Sequence, residues 1–402
     1  AASRRGMRRR ETTRIRSVGR SPRSVAAAFV VAATPTMRTS TMRMRTRMRL
    51  KRMRGRVRAV RGRGEGMGRG ARRVKAVEEE EAAEEEMRVE IAEKPEHWRA
   101  IDGFLSVERA GELRGVFDAR MEDPLRVDPE RFVWDYWHVP NQYTLLRTPA
   151  EDYFGETLYR ELEDALLAYG KKELGCSSIT PVWMSCYVHG MRQELHADVP
   201  HGPFAFVLSL TANEDGKFEF RGGETQIMRP ERLHYWKNFD SSQVIERGQI
   251  METIAPNFNR LVVFDPRLPH GVTEVFGTQD PRHGRLVLHG WFKDPEPSFS
   301  GALTEEAASE TLEAALAELY ARLVELPRAS GDVCAAITVA RDGAVTNLRW
   351  TCDTLTPIPL PELPSETEIR DAIMLDIAEA LLELRFPESD GESVITLPFC
   401  FE

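Results

Sequence analysis

The chain has 402 residues, of which 42% are apolar and 29% charged, which allows two or three ordinary domains and excludes a collagen-like or wholly disordered protein. The net charge of −8 averages two unlike parts, because residues 1–76 hold 23 Arg and 2 Lys against Glu11 and Glu65, whereas the rest has 30 basic and 61 acidic residues. So acidic a folded region excludes the phosphate contacts of a nucleic-acid-binding domain, and no apolar run approaches the roughly eighteen residues of a membrane span.

The first 76 residues are rich in Arg, Ser, Thr and Met and nearly free of acid, which is typical of an organelle transit peptide for a chloroplast or mitochondrion. Two alternatives stay open: a secretory signal built on the apolar stretch Val25–Ala33, and a nucleic-acid-binding arm. We expect this targeting segment to be disordered, since like charges and few apolar residues cannot offset the entropy of ordering. An acidic linker is predicted over residues 77–95.

The folded region is predicted to begin near Glu96. Ser106 opens a helical pattern that continues to Met121, and residues 156–174 read as a second amphipathic helix. The period of the apolar residues then shortens from that of a helix to that of a strand. Segments separated by Gly, Pro, Asn and Asp are predicted as strands at 182–188, 204–211, 217–220, 224–228, 260–264, 271–276 and 285–292. Many short strands with turn residues between them favour a sandwich or barrel.

The C-terminal part has a different pattern. A long amphipathic helix over 303–326 is predicted within a helical connector, residues 300–328. Residues 332–340 and 345–352 then read as strands around an Asp342-Gly343 hairpin turn, followed by a helix over 366–384 and a strand over 393–401. These elements predict a small ββαβ domain over residues 329–402.

His196, Asp198 and His270 are the candidate metal ligands. Residues two apart in an extended chain point to the same face, so His196 and Asp198 can converge on one ion. His270 follows a hydrophobic strand and a Pro-rich turn, at the start of the next predicted strand. Two imidazoles and one carboxylate suit iron(II) and leave three coordination positions open.

Arg285 is the candidate anion-binding residue. It opens the strand that ends at Phe292, fifteen residues after His270. A buried guanidinium there can bind one end of a dicarboxylate through paired hydrogen bonds. Arg282 is a second candidate, because residues 278–284 read as an insertion that makes the strand register ambiguous.

The stretch from Glu96 to Phe292 resembles the iron(II)- and 2-oxoglutarate-dependent dioxygenases, in particular the prolyl 4-hydroxylase-like branch. The motifs that carry this resemblance occur in the family's order along the chain: Asp102-Gly103-Phe104-Leu105-Ser106, Tyr187 nine residues before His196, the Gly222-Gly223-Glu224-Thr225 turn, His270, and Arg285 six residues before Trp291. The gap between His270 and Arg285 and the segment 229–259, which contains His234, Tyr235 and Trp236, are longer than is usual for the family.

The resemblance implies a double-stranded β-helix, or jelly-roll, core over residues 96–299 with flanking helices, in an α+β chain. It implies Fe²⁺ held by the three ligands, 2-oxoglutarate bound by Arg285 and a hydrogen bond from Tyr187, and ascorbate as reductant. The implied reaction is hydroxylation of a protein, peptide or small-molecule substrate, prolyl residues for this branch, with release of succinate and carbon dioxide. The alternative is a non-catalytic jelly-roll binding protein that acts through its C-terminal domain.

The C-terminal domain more weakly resembles the TonB C-terminal-like fold, on Gly331 to Ile337, the Asp342-Gly343 turn, Arg385-Phe386-Pro387 and Leu397-Pro398-Phe399. That likeness implies protein contact through a sheet edge; a packing or dimerisation appendage is the alternative.

Structural roles are expected for the remaining histidines and the cysteines. His201 is predicted in a turn, and His189 and His283 at the surface. His289 is predicted in the core, with a place in the wall of the pocket as the alternative. The five cysteines show no zinc spacing, which favours buried thiols over a Cys334–Cys352 bridge.

Overall fold

The computed structural model describes residues 30–31, 91–92, 94–122, 134–198, 201–213, 217–233, 242, 245–358 and 364–401. The basic segment over 1–76 and the acidic linker over 77–95 lie largely outside the described residues. The loop residues His234, Tyr235 and Trp236 lie outside them as well.

The helices of the described chain are α1 (Val107–Met121), α2 (Ala150–Phe154), α3 (Glu156–Tyr169), α4 (Pro230–Leu233), α5 (Arg247–Ile250), α6 (Glu305–Leu323) and α7 (Glu366–Leu382). The strands are β1 (Val30–Val31), β2 (Trp98–Asp102), β3 (Asp135–Val139), β4 (Tyr143–Pro149), β5 (Cys176–Ile179), β6 (Trp183–Tyr187), β7 (Arg192–His196), β8 (Phe204–Ser209), β9 (Thr225–Met228), β10 (Met251–Ile254), β11 (Arg260–Phe264), β12 (His270–Val272), β13 (Arg285–Pro295), β14 (Ser298–Gly301), β15 (Ala329–Val339), β16 (Val345–Asp353), β17 (Thr356–Pro357) and β18 (Ser393–Phe401). A short π-helix, Gly170–Leu174, extends α3, and a 3₁₀ turn spans Pro281–His283.

A 12-stranded antiparallel sheet forms the larger part of the molecule. Its strands follow the order β10-β9-β12-β7-β4-β6-β13-β8-β11-β2, with β3 added beside β4 and β5 beside β13. The sheet curls, so that β7, β9, β10 and β12 form one wall and β13 lies in the other. This arrangement confirms the predicted jelly-roll core in an α+β chain.

The alternation of β13 separates the two faces of this sheet. Leu286, Leu288 and Phe292 are fully buried in the main hydrophobic core, which also contains Leu113 of α1 and Leu162 of α3. The residues at the alternate positions of β13 point to the opposite side, which is the inside of the curled sheet. Burial of these apolar side chains, at about 25 cal/mol per Å², holds the helices on the outer face and leaves the inner face free for polar groups.

The start of α1 follows local sequence signals. The Ser106 hydroxyl caps it by accepting a hydrogen bond from the Arg109 backbone N–H, as Ser before a helix commonly does. Two other predictions about local structure were wrong. Residues 217–220 form no strand, and the β3–β4 hairpin was not predicted, since Asn141 takes the left-handed conformation (φ 61°) of its turn without the Gly that usually marks one.

A second sheet contains β1, β18, β15 and β16 in that order, with β14 also paired to β18 and β17 to β15. The predicted ββαβ unit is confirmed as β15, β16, α7 and β18. Gly343 makes the turn between β15 and β16: its φ is 78°, and an added Cβ would lie 1.8 Å from the Phe386 carbonyl oxygen.

The long helix α6 belongs to this second unit. Leu312, Leu319 and Leu323 of α6 are buried with Ile373 and Ile377 of α7 in a core separate from that of the larger sheet. The predicted connector over 300–328 therefore contributes its helix to the C-terminal core.

All five cysteines are free thiols. Cys334 and Cys352 are partners in the β15–β16 register, and burial raises the pKa of Cys334 to about 12. Thiols held in this way are chemically quiet. Among the helices of the described residues, none has the length and apolar character of a membrane span.

Candidate metal centre and anion-binding cavity

His196, Asp198 and His270 converge at one end of two neighbouring strands. His196 ends β7 and pairs in register with His270, which opens β12, while Asp198 follows two residues after His196. One ligand atom from each lies within 4.8 Å of the others. Nε2 of His196 is 3.4 Å from Asp198 Oδ1, and Nε2 of His270 is 3.6 Å from Asp198 Oδ2.

Hydrogen bonds to the backbone select the ring nitrogens that face this point. Nδ1 of His196 lies 2.9 Å from the Glu194 carbonyl oxygen, and Nδ1 of His270 lies 2.9 Å from that of Leu268. A carbonyl oxygen can only accept, so each Nδ1 carries a proton and each Nε2 presents a lone pair. This is the arrangement in which a histidine binds a metal through Nε2.

Asp198 is oriented from a third strand. The indole N–H of Trp291, on β13, donates to Asp198 Oδ2 at 2.9 Å. This contact leaves Oδ1 toward His196 and fixes the plane of the carboxylate. The Trp291 contact was not predicted from the sequence, although Trp291 was noted for its spacing from Arg285.

The pKa shifts of His270 and Asp198 suit a divalent cation, whereas the raised pKa of His196 means that a proton competes with the cation for its Nε2. Burial lowers the pKa of His270, which keeps its imidazole neutral near pH 7. Burial alone would raise the pKa of Asp198, but the contacts with His196, His270 and Trp291 outweigh it and lower that pKa. For His196 burial lowers the pKa, and hydrogen bonds with Asp198 and the Glu194 carbonyl raise it by more. Imidazole and carboxylate donors with an open side fit iron(II).

Arg285 lies in the same cavity and is only 1% exposed. Its Nη2 donates to the Thr225 hydroxyl at 3.1 Å, and its guanidinium lies 4.8 Å from the ring centroid of Tyr187. Nε and Nη1 are buried without a hydrogen-bond partner among the described residues. Burial lowers the pKa of Arg285 by more than Tyr187 and the charge of Glu224 raise it. The unused donors fit one carboxylate of a bound dicarboxylate.

Arg282, the other candidate, lies outside the cavity. It follows Asp280 in the turn before β13, and its Nη2 forms an ion pair with Asp280 Oδ2 at 2.7 Å. The predicted insertion over 278–284 forms this turn. The geometry thus favours Arg285 as the residue that faces the metal centre.

Tyr187 lines the cavity between Arg285 and the metal ligands. Its hydroxyl lies 3.4 Å from Oε1 of Gln193, whose Nε2 lies 3.1 Å from Nε2 of His196. Burial raises the pKa of Tyr187, so the phenol stays protonated and able to donate. Gln193 and Thr225 were not predicted as site residues. Gln193 lies on β7, three residues before His196, and Thr225 lies on β9, which pairs with β12; their place in the cavity is visible only once the strand pairs are known.

The histidines outside the triad occupy other places. His289 was expected in the core, and that prediction was wrong: it lines the cavity and is 2.8 Å from the Ser185 hydroxyl. Burial, together with the charges of Arg147 and Arg285, lowers the pKa of His289 to about 3, so it is neutral. His201 lies in an exposed bend, 4.6 Å from the Trp291 ring, and makes no contact with the triad.

A second arginine, Arg147 on β4, lines the cavity and was not predicted. The remaining lining is largely aromatic and aliphatic. The residues around the cavity, about 160 Å³ in volume, are Trp137, Tyr143, Leu145, Arg147, Ser185, Tyr187, Gln193, His196, Asp198, Ala205, Phe206, Val207, Thr225, Phe264, His270, Gly271, Val272, Arg285, Val287, His289, Gly290 and Trp291.

Comparisons with known proteins agree with this geometry. Residues 182–293 match the family model of the 2OG-Fe(II) oxygenase superfamily, a span that contains His196, Asp198, His270 and Arg285. The match is confined to these residues, and the description of the family implies Fe²⁺ and 2-oxoglutarate as the groups that such a site would hold. No curated protein matches the chain.

Several solved structures are similar to this chain. A prolyl-4-hydroxylase from Pseudomonas putida is 16% identical, with a TM-score of 0.35, covering 49% of this chain and 92% of its own. A prolyl hydroxylase from Trichoplax adhaerens, in complex with a hypoxia inducible factor peptide, is 17% identical, with a TM-score of 0.33 and coverages of 49% and 84%. A viral collagen prolyl hydroxylase from Paramecium Bursaria Chlorella virus-1 is 15% identical, with a TM-score of 0.31 and coverages of 49% and 95%.

Proposed function

We propose that this chain is an iron(II)- and 2-oxoglutarate-dependent dioxygenase that hydroxylates its substrate. His196, Asp198 and His270 are the proposed iron ligands, and Arg285 is the proposed partner of the 2-oxoglutarate 5-carboxylate. The observation that carries the proposal is the convergence of the three ligand atoms within 4.8 Å in the cavity that also holds the uncompensated Arg285.

With iron(II) held at the triad, dioxygen would be the oxidant: one oxygen atom would enter a substrate C–H bond as a hydroxyl, and the other would enter succinate as 2-oxoglutarate loses carbon dioxide. The residues of the protein position the co-substrate and shield the site from water. Trp291 holds the Asp198 carboxylate, Arg285 and Thr225 orient the far end of 2-oxoglutarate, and Tyr187 offers it a hydroxyl donor. Apolar walls such as Phe206 and Phe264 limit access of water to the cavity.

Prolyl residues of a protein or peptide are the substrate class that we propose, with ascorbate as the reductant that maintains iron(II). The support is the resemblance to the prolyl 4-hydroxylase-like branch. A cavity lined by Trp137, Tyr143 and Trp291 suits the flat, apolar face of a pyrrolidine ring.

Succinate formation tests the reaction. The full-length protein is incubated with iron(II), ascorbate and 2-oxoglutarate, with and without Pro-rich peptides, and succinate and peptide hydroxylation are measured. We expect iron-dependent succinate release that peptides stimulate. Absence of succinate under every condition would favour the non-catalytic binding protein, and succinate without peptide hydroxylation would remove the prolyl substrate alone.

We further propose that the basic segment over 1–76 directs the chain to a chloroplast or mitochondrion. Fusion of residues 1–76 to a fluorescent protein tests this directly. Organelle fluorescence is the expected result, whereas secretion or nuclear retention would favour one of the two alternatives stated above.

The C-terminal domain is proposed to contact a protein through the edge of β16 that precedes Thr351; beyond it the edge is occupied, since Arg99 donates to the Thr351 carbonyl oxygen and the Glu96 N–H donates to that of Asp353. Among the described strands β16 pairs only with β15, and Thr346, Asn347 and Arg349 on it are exposed. Such an edge can accept an added strand. Substitution of Asn347 by Pro is expected to abolish co-purification of that partner while succinate release persists.

A further inference from the structure

Arg147 is a second cation in the cavity, on the strand next to β7, which carries His196. It lies in β4, in register with Ser185 of β6, and lines the cavity together with Arg285. Its guanidinium carbon is 3.7 Å from the ring centroid of Trp183 and 4.6 Å from that of Trp137. Two indole rings therefore hold this side chain in a defined place.

Within the described residues Arg147 has no ion pair and no hydrogen bond, and its Nε is buried without a partner. Burial lowers the pKa of Arg147 accordingly. Arg147 is partly buried, so water solvates its charge incompletely, and an anion bound in the cavity would complete its surroundings.

The stacking leaves the donors of Arg147 free in one plane. The guanidinium lies over both Trp183 and Trp137, whose ring planes differ by 58°, so the two rings contact it from two directions. The N–H groups of a guanidinium lie in the plane of the group. A carboxylate is planar too, and it can accept two parallel hydrogen bonds from that edge. The aromatic contacts thus prepare Arg147 for a flat oxyanion.

The charge balance of the cavity requires one more anion. Among the described residues that line it, Arg147 and Arg285 are positive and Asp198 is the sole carboxylate. Iron(II) adds two positive charges, and 2-oxoglutarate brings two carboxylates. One positive charge then stays uncompensated, and Arg285 has already been matched to the co-substrate.

We propose that Arg147 determines substrate specificity by binding a carboxylate of the primary substrate. This rests on the proposed function, in which Arg285 holds 2-oxoglutarate. It narrows the substrate to a molecule with a carboxylate near the hydroxylated carbon, such as a free amino acid, a peptide with a C-terminal residue in the cavity, or an acidic side chain.

Matched acids and amides test the assignment. The probes are N-acetyl-proline, -glycine, -alanine, -leucine, -phenylalanine and -glutamine, each with its primary amide. Binding to the full chain, saturated with manganese(II) and 2-oxoglutarate so that no turnover occurs, is followed by tryptophan fluorescence and calorimetry. We expect at least one acid to bind at least about tenfold more tightly than its amide.

Variants test whether Arg147 is the residue that causes the preference for the acid. Arg147→Gln is expected to reduce the affinity of that acid to the level of its amide. Arg160→Gln is the matched control, because Arg160 is an exposed residue of α3 paired with Glu156, and it should retain the preference.

Three results would overturn the assignment of Arg147: no acid binding below about 10 mM, equal affinity of acid and amide, or a preference that survives Arg147→Gln. A loss of 2-oxoglutarate affinity of about tenfold or more in Arg147→Gln would also overturn it, by assigning this residue to the co-substrate. Because the readout is binding, an acid preference without succinate formation rejects only the proposed function, and succinate formation without the preference rejects only the role of Arg147.

Discussion

Each of the two sheets buries an arginine, and the two arginines are held differently. Arg370, on α7 beside the small sheet, donates from Nε to Asp353 Oδ2 at 3.0 Å, contacts the same carboxylate through Nη2, and donates from Nη1 to the Ala92 carbonyl at 3.0 Å. Arg285, in the large sheet, has only the neutral Thr225 hydroxyl as a hydrogen-bond partner among the described residues.

This comparison distinguishes a buried charge that has a structural role from a buried charge that binds a ligand. A buried charge costs several kcal/mol unless it is paired, so Arg370 with Asp353 forms a completed site that holds α7 on β16. Arg285 is incomplete without a bound anion and lies beside a candidate metal centre. Buried charges without partners are therefore the better guide to function in this molecule.

The largest effect is expected from the metal ligands that accompany Arg285. His196→Ala removes one of three donors, and we expect succinate formation to fall by about a thousandfold or more, since the remaining pair cannot hold iron(II). Metal binding is measured separately by titration with manganese(II). His283→Ala, at an exposed position in the turn before β13, is the control and should match the unmodified protein; equal activity of His196→Ala and the control would contradict the assignment.

Arg285→Met is expected to weaken the binding of 2-oxoglutarate and to leave the fold intact. We expect the Michaelis constant for 2-oxoglutarate to rise by about two to four orders of magnitude, corresponding to roughly 3–5 kcal/mol of lost charged hydrogen bonds. The free energy of unfolding without ligand should stay equal or increase, because an uncompensated buried charge has been removed. Both are measured, by steady-state kinetics and by denaturant titration.

The conservative variants refine this test. Arg285→Lys keeps the charge but not the paired geometry and should be milder, and Arg282→Ala should be nearly silent. The opposite ranking, with Arg282 essential, would mean that β13 is placed out of register.

Arg370→Met is expected to lower stability and to leave the binding of 2-oxoglutarate unchanged. It leaves Asp353 buried and unpaired, so we expect the free energy of unfolding to fall by about 3–5 kcal/mol. The Michaelis constant of the protein that stays folded should not change. A large rise in that constant with unchanged stability would remove the distinction drawn between the two arginines.

Asp265 tests whether a compensated charge is structural in the large sheet as well. It lies in the turn between β11 and β12, and Arg267 donates to it from Nε at 2.8 Å. Burial alone would raise its pKa, but the bonds from Arg267 outweigh this and lower the pKa to about 2. Asp265→Asn is expected to reduce stability at pH 7 by about 2 kcal/mol.

The pH dependence follows from the sign of that shift. A carboxyl whose pKa is lowered by folding stabilises the protein above its unfolded pKa, and the contribution disappears as the pH falls through about 2. The difference in unfolding free energy between Asp265→Asn and the unmodified protein should thus be constant above about pH 5 and narrow below about pH 4. A difference independent of pH over this range would assign the effect to side-chain shape.

The smallest effect is expected from removing the basic segment. A chain that begins at Glu78 should fold and keep its succinate formation, with at most a small loss of stability from the β1 pairing with β18. Thermal unfolding and activity measure this, and failure to fold would make the segment structural.

Much of the site could be predicted from the sequence because its signals are local or nearly so. The two-residue spacing of His196 and Asp198 places both on one face, and the strand and turn before His270 set it at a strand start. The six-residue spacing from Arg285 to Trp291 preserves strand parity, so both face inward on β13. The Asp342-Gly343 turn likewise predicted the hairpin of the small sheet.

The alternation of apolar and polar residues along a strand, by contrast, predicts that the strand has two faces. It does not predict which of the two faces lines a cavity. His289 was placed in the core for this reason, and the pairing of β13 with β6 brought it to the cavity instead. Arg147 and Thr225 carry no local signal, because each acquires its neighbours from a strand distant in sequence. Gln193 contacts residues near it in sequence, but strict alternation would place it on the face opposite His196, and the irregular register between β7 and β12 brings both to the cavity. The ligand types and the order of elements thus follow from the sequence, whereas the partners of each buried charge were decided by long-range strand pairing, which no local pattern encodes.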